Sequence, residues 1–292
     1  MQNPKPSIRG SPLKDKVCVV TGATDGIGKA AAYELAIQGA RLLIHGRDPE
    51  KGQRVVAELK ARSRNSQIEF LQADFGSLSE VRLLAAAVTQ RAPRVDVLVN
   101  NAGAFFGRRT LSKDGYELTW AVNHLAPFLL THLLKYALQA APRARIVTTA
   151  SNTHQQATIR FDDLQTASKY TAMGAYSHSK LANILFTRAL AKRLKGTEVT
   201  ATCLHPGFVR TEIGRNIDSA VTRWALGLIS RFARSPEKGA QTLVYLAASA
   251  QVQGASGGYY YDCKEIPPSA AAQDDGVAER LWDLSAKMVG IA

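Results

Sequence analysis

At 292 residues, 46% hydrophobic and 21% charged, the chain has a globular composition and a length that one α/β domain reaches. Its 37 Lys and Arg against 24 Asp and Glu give a net charge of +13, but the cations are spread along helical segments, which argues against a nucleic-acid-binding patch and for attraction of an anionic cofactor. No stretch approaches the roughly 20 apolar residues of a membrane span, no apolar signal core opens the chain, and Cys18, Cys203 and Cys263 lack CxxC or metal-ligand spacing, so reduced thiols in a soluble, cytoplasmic protein are expected.

After an irregular arm over 1–14, short β-rich runs alternate with longer helical patterns. Strands are predicted at 17–21, 41–45, 68–72, 95–100, 145–149, 198–204 and 258–261. Helices are predicted at 26–38, 49–62, 78–90, 113–138, 176–194, 219–232, 236–248 and 278–288. Alternation of this kind builds an α/β fold, a doubly wound and mostly parallel sheet of seven strands flanked by helices. Its ligands bind at the carboxyl ends of the strands. No repeat, low-complexity tract or linker interrupts the pattern, so a single domain over 1–292 is expected.

The first strand runs into Thr21-Gly22-Ala23-Thr24-Asp25-Gly26-Ile27-Gly28. Glycines between a strand and a helix let the backbone approach a pyrophosphate seated on the helix N-terminus. The second strand ends His45-Gly46-Arg47-Asp48. An acid there would hold a ribose 2′-hydroxyl, whereas an arginine suits a 2′-phosphate. Arg47 therefore favours NADP(H) over NAD(H), and Asp48-Pro49 reads as a helix start. Lys29 and Lys51 are candidate electrostatic helpers. Asp74, after the third strand, either accepts a bond from the adenine amino group or caps the next helix. Asn100-Asn101-Ala102-Gly103 ends the fourth strand, where small residues let the chain pass beneath a cofactor and two amides need hydrogen-bond partners.

Tyr176 and Lys180 lie four positions apart and share one helix face. A neighbouring cation favours a phenolate and lowers a tyrosine pKa, which makes sense where the phenol exchanges a proton with a substrate. Asn123 sits in a predicted helix for which it has low propensity, a sign of a functional kink. His124, His154 and His178 have no metal-like spacing and are expected as polar contacts, with His154 a candidate pocket wall.

Taken together, Thr21 to Gly28, Asn100 to Gly103, Asn123, Ser151, Tyr176 to Lys180, and Pro206-Gly207 with Thr211 resemble the short-chain dehydrogenase/reductase superfamily, over residues 15–290. The runs AYSHSKLANILF, LHPG and YYYDCKEIPP are similar to its retinol dehydrogenase and WW-domain oxidoreductase branch. The resemblance implies a Rossmann fold with Tyr176 as general acid/base and Lys180 lowering its pKa and holding the nicotinamide ribose. It implies Ser151 bonding the reacting oxygen and Asn123 holding a water that links Lys180 to solvent. It further implies cofactor contacts from Gly22, Thr24, Asp25, Gly26, Ile27, Asp74, Asn101, Ala102, Gly103, Pro206, Gly207, Val209 and Thr211, and a homodimer or homotetramer through the helices bearing Asn123 and Tyr176, with a monomer as the alternative. Ser151 stands 25 positions before Tyr176 (176 − 151), an insertion that this branch carries.

Two stretches are expected to frame the substrate. The insertion 152–175 carries Ile159, Phe161, Leu164, Tyr170 and Met173. The segment 212–234 carries Ile213, Ile217, Val221, Trp224, Leu228 and Phe232 among arginines, as a lid over a lipophilic substrate or, alternatively, a helix lying on a membrane surface. The expected activity is NADP(H)-dependent interconversion of a lipophilic alcohol and its aldehyde or ketone. The alternatives are a double-bond reductase resembling protochlorophyllide reductases, which would recruit Cys203 or Cys263, and a non-catalytic NADP(H)-binding regulatory protein.

Overall fold

The computed structural model describes residues 12–209 and 233–291. The helix expected over 219–232, most of the 212–234 lid, Thr211, and most of the 1–14 arm lie outside the described residues.

The strands are β1 Val17–Val20, β2 Arg41–Gly46, β3 Ile68–Gln72, β4 Val97–Asn100, β5 Arg145–Thr149, β6 Thr200–Leu204, β7 Tyr259–Tyr261 and β8 Lys264–Glu265. They form one sheet in the order β3-β2-β1-β4-β5-β6-β7-β8. All pairings through β7 are parallel, and β8 pairs antiparallel with β7. The eighth strand departs from the expected seven for a local reason. Asp262 and Cys263 both adopt left-handed φ, 46° and 61°, the two-residue turn that matches the twist of a hairpin. Strand order reverses between β1 and β4, which opens a crevice at their carboxyl ends.

Alternation along the strands divides the core. Val19, Leu43, Leu98 and Ile146 face one buried cluster, while Cys18, Val20, Leu42, Ile44, Val97 and Val99 face the other. Period-two alternation with both faces apolar is what a sheet covered on both sides requires. The helices are α1 Gly26–Ile37, α2 Pro49–Ser63, α3 Leu78–Arg91, α4 Leu118–Trp120, α5 Ala126–Leu133, α6 Lys135–Gln139, α7 Ala172–Arg193, α8 Pro236–Ala248 and α9 Asp275–Met288. Helices α1, α2 and α8 contribute to the second cluster, and α3, α5, α7 and α9 to the first.

The long helix expected over 113–138 is broken. The Glu117 side chain caps α4, accepting from Thr119 N and Trp120 N at 2.9 and 2.7 Å. A π turn, Ala121–Leu125, follows, in which the Ala126 N–H reaches back to the Ala121 carbonyl. Pro127 lacks the N–H that an α-helix would direct to the Asn123 carbonyl, so the wider turn falls around Asn123. Single π turns inside helices occur frequently at functional sites.

Helix α7 starts four residues earlier than expected, because the Thr171 hydroxyl accepts from Gly174 N at 3.1 Å and caps it. Tyr176 and Lys180 thus lie well inside a formed helix. The outer side of α7 is covered by α9. Trp282 packs against Phe128 and Phe186 at ring distances of 4.9 and 5.9 Å, and Arg188 and Lys192 pair with Asp275.

Candidate active site

The crevice is floored by glycines that cannot be enlarged. Gly22 has φ +63°, and a Cβ on it would stand 2.8 Å from Ala102 Cα. A Cβ on Gly28 would meet the Gly22 carbonyl at 2.2 Å and Asn101 Nδ2 at 2.4 Å. One on Gly46 would meet Thr24 Cγ2 at 2.6 Å, so the loop is seated directly on the end of β2. Thr21 Oγ1 accepts from Asn101 N and Ala102 N, both at 3.0 Å. Asn101 Nδ2 donates to Thr21 O at 2.9 Å, and Asn100 Nδ2 donates to Thr131 Oγ1 at 2.9 Å. The Asn101 amide therefore locks the end of β4 to the glycine loop, and the Asn100 amide ties it to α5. Gly239 on α8 gives Ile27 and Val209 room to meet, 3.2 and 2.6 Å from where its Cβ would stand.

Asp25 caps α1, accepting from Gly26 N at 2.7 Å, and pairs with Lys51. Lys29 pairs with Glu58 at 2.6 Å, so both lysines expected as electrostatic helpers engage carboxylates of the chain itself. Asp48 caps α2, accepting from Lys51 N at 2.9 Å, as its sequence context predicts. Arg47 is exposed beside Gly46. Asp74 does not cap α3. Ser77 does, accepting from Glu80 N, because Asp74 spends one carboxylate oxygen on Gly76 N at 2.9 Å. This groove, with its glycine cradle at the ends of β1 and β2, fits a nicotinamide dinucleotide.

At the ends of β4 and β5 lie the residues that the sequence marks as candidates for proton transfer. Ser151 stands beside the Tyr176 hydroxyl and favours its ionised form. Ser151 also caps the 3-10 turn Asn152–Gln156, accepting from Thr153 N and Thr153 Oγ1. Lys180, only 2% exposed, lies 5.5 Å from the Tyr176 ring centroid and donates to Thr149 O at 3.0 Å. Its Nζ stands 3.3 Å from where a Cβ on Gly103 would be. Burial pushes the Tyr176 phenol up to about 12, opposed by the adjoining Ser151 side chain, and pulls Lys180 down to about 8. The expected lowering of the phenol by the lysine does not prevail here; burial of the hydroxyl governs it. Asn123 holds the adjoining loop from both sides, accepting from Ala104 N at 2.7 Å and donating to Ala104 O at 3.0 Å. It also donates to Ser179 Oγ at 3.0 Å.

Several expectations are corrected. His154 is fully buried and is not a pocket wall. Its Nδ1 bonds Ser151 O at 2.7 Å, and its Nε2 accepts from Ser269 N at 3.1 Å, tying the Ser151 turn to the C-terminal region. Ile159, Phe161 and Leu164 pack against the core, with Arg280 of α9 over the Phe161 ring, because their apolar side chains gain more from that cluster than from an open crevice. Tyr170 donates to Phe106 O at 2.7 Å, and Met173 is exposed. Sequence reasoning missed Phe105, whose ring lies 5.7 Å from that of Tyr176; the available signal was an aromatic pair, Phe105-Phe106, one residue beyond Gly103. It also missed Asn183, which donates to Thr149 O, the acceptor used by Lys180. Pro206, Gly207 (φ +80°) and Val209 follow β6, and Gly207 packs under the Arg234 side chain.

Comparison with known proteins gives the same reading. The family model for short chain dehydrogenase matches residues 16–222. Retinol dehydrogenase 14 of Mus musculus is 42% identical over 291 residues, covering 96% of this chain and 87% of that protein. Retinol dehydrogenase 12 of Homo sapiens is 40% identical over 279 residues, with 96% and 88% covered. Among solved structures, an uncharacterized protein from Mycobacterium paratuberculosis superposes with a TM-score of 0.76 at 31% identity, covering 95% and 94% of the two chains. A short chain dehydrogenase from Burkholderia cenocepacia in complex with NADP gives 0.68 at 26% identity, covering 90% and 100%. With the crevice and the Ser151, Tyr176 and Lys180 cluster in view, the chain belongs to the short-chain dehydrogenase family, in its retinol dehydrogenase-like branch, and is an oxidoreductase acting on CH–OH and C=O groups.

Proposed function

We propose that this protein uses NADP(H) to interconvert a lipophilic alcohol and its aldehyde or ketone, with Tyr176 exchanging the proton at the reacting oxygen. The carrying observation is the buried Lys180, held at Thr149 O and 5.5 Å from the Tyr176 ring, with Ser151 acting on the same phenol. The bound nicotinamide supplies or accepts the hydride. In reduction, Ser151 donates a hydrogen bond to the carbonyl oxygen, and Tyr176 delivers its proton to that oxygen as the C–H bond forms. Lys180, as an ammonium, then offsets the phenolate charge until the proton is replaced from solvent. Asn123 keeps Ala104, and with it the loop above Gly103, fixed over the lysine.

The 2′-phosphate preference rests on Arg47, exposed where the groove has no uncommitted acid, since Asp48 serves as a helix cap. Phe105 beside Tyr176 and exposed Met173 and Phe208 favour an apolar substrate, a preference in keeping with the retinol dehydrogenases that the chain resembles. The double-bond alternative is disfavoured by its cysteines. Cys203 is buried in β6 with its thiol pushed up to about 12, and Cys263 sits in the β7–β8 turn. The reading carries a monomer rather than a homodimer or homotetramer through α5 and α7, supported by α9 lying on α7. It also carries a reducing, cytoplasmic setting, supported by the unpaired Cys18, Cys203 and Cys263; among the described residues no helix is long and apolar enough to cross a membrane.

The test is NADPH and NADH consumption with a panel of aldehydes and ketones of rising chain length. Turnover favouring NADPH and long or aromatic carbonyls is the expected result. Cofactor binding with no turnover on any carbonyl would turn the reading to a regulatory NADP(H)-binding protein.

A further inference from the structure

Strand β2 alternates its side chains strictly, and His45 occupies a position that Leu43 fills two residues earlier with hydrocarbon. An apolar residue would suffice there. The imidazole is only 3% exposed, and a buried polar ring costs free energy unless both nitrogens are satisfied. Both are. His45 Nδ1 accepts from Gly22 N at 3.3 Å, and Nε2 bonds Ala73 O at 3.0 Å. A backbone N–H only donates and a carbonyl only accepts, so the proton resides on Nε2 and the ring is neutral. Burial keeps it so, pulling its pKa down to about 4. The ring stacks on Phe75 at 4.3 Å and 17°, and the His45 carbonyl accepts from Ala23 N at 2.9 Å.

One residue therefore joins three segments that line the dinucleotide groove. Gly22 is the left-handed turn at the start of the glycine loop. Gly46 and Arg47 follow His45 itself, and Ala73 immediately precedes Asp74. We propose that His45 is a positioning residue for the cofactor: its imidazole clamps the Gly22 N–H to the Ala73 carbonyl and so sets the spacing between the glycine loop and the end of β3. The proposal rests on the reading of Gly22 to Gly28 as the cofactor loop. It assigns His45 no contact with the reacting atoms.

Bond counting supplies the test. The side-chain oxygen of Asn stands as many bonds from Cα as Nδ1 of His, and the terminal amide of Gln as many as Nε2. His45→Asn can retain the acceptor for Gly22, His45→Gln can retain only the link to Ala73, and His45→Phe keeps the stacked ring while losing both. Dissociation constants for NADPH, measured by fluorescence titration of the purified full chain, should stay within about twofold of wild type for His45→Asn. They should rise by about tenfold for His45→Gln and His45→Phe, the loss of one net hydrogen bond. Turnover at saturating NADPH should change by less than about twofold in all three. Equal dissociation constants across the series with only the melting temperature moved, or Asn binding NADPH as weakly as Phe, would overturn the clamp and leave the cofactor loop standing. A wild-type chain that binds neither NADPH nor NADH would remove the loop reading and the clamp together.

Discussion

The two halves of the crevice are built from different materials. The side formed by β1 to β4 is mostly backbone: Gly22, Gly28 and Gly46 pressed against neighbouring atoms, and main-chain groups held by Thr21 and Asn101. The side formed by β5 to β7 is mostly side chain, and its supports come from far along the sequence. Ser151 is held through His154 to Ser269, His124 bonds Ser285 at 2.8 Å, and α7 is covered by Trp282 of α9. The contrast teaches that a cofactor cradle tolerates almost no added atom, whereas the side that carries Ser151, Tyr176 and Lys180 depends on distant packing that can be weakened in degrees.

Gly28→Ala should break the first side outright. Its Cβ would stand 2.2 Å from the Gly22 carbonyl and 2.4 Å from Asn101 Nδ2, so the Gly22 backbone and the Asn101 amide would both have to move. We expect NADPH affinity to fall at least about 100-fold and stability to drop by about 2–4 kcal/mol, read by titration and thermal melting. Gly254→Ala is the control, with φ +80° but nothing within 4 Å; it should cost only about 1 kcal/mol and leave binding intact. Trp282→Ala should weaken the second side, lowering stability by about 2–4 kcal/mol while NADPH affinity stays within about twofold. A large loss of cofactor affinity in Trp282→Ala would erase the proposed division.

The halves should also separate in pH. Lys180 titrates at about 8, so reductive turnover should decline as pH rises through that value, with NADPH binding much less affected. Stability has the opposite sensitivity. His45, His178 and His205 are pulled down to about 4 and His124 to about 3 from 6.5, each by burial first. A depressed histidine pKa means that the unfolded chain binds the proton more readily. Stability is therefore full above about pH 6.5 and is lost as pH falls toward 4, at up to about 3 kcal/mol per histidine. Melting temperatures from pH 8 to 4 check the sign. The smallest effect is expected at the β7–β8 turn, where Cys263→Gly should raise stability by about 0.5–1 kcal/mol by relieving the left-handed cysteine, without altering turnover.

The same contrast explains what was legible in the sequence. Strand spacing, Gly22 to Gly28, Asn100 to Gly103 and the Tyr176–Lys180 pair are local patterns, and local patterns dictate local backbone. The break around Asn123 was foreshadowed by its poor helix propensity, yet its form depended on Pro127. The fates of Phe161 and His154 were hidden, because their partners, Arg280 and Ser269, lie more than a hundred residues away and no period connects them. His45 was equally silent: an alternating strand marks its position as buried but says nothing about two backbone groups waiting for an imidazole.

The central claim is that Tyr176 acts on the reacting oxygen and not on cofactor binding. Its most direct test is single-turnover hydride transfer from NADPH to a reactive aldehyde, compared between wild type and Tyr176→Phe, with NADPH dissociation constants measured on the same preparations. We expect binding within about twofold and a transfer rate lower by about 1,000-fold. A Tyr176→Phe variant that transfers hydride at the wild-type rate would contradict it.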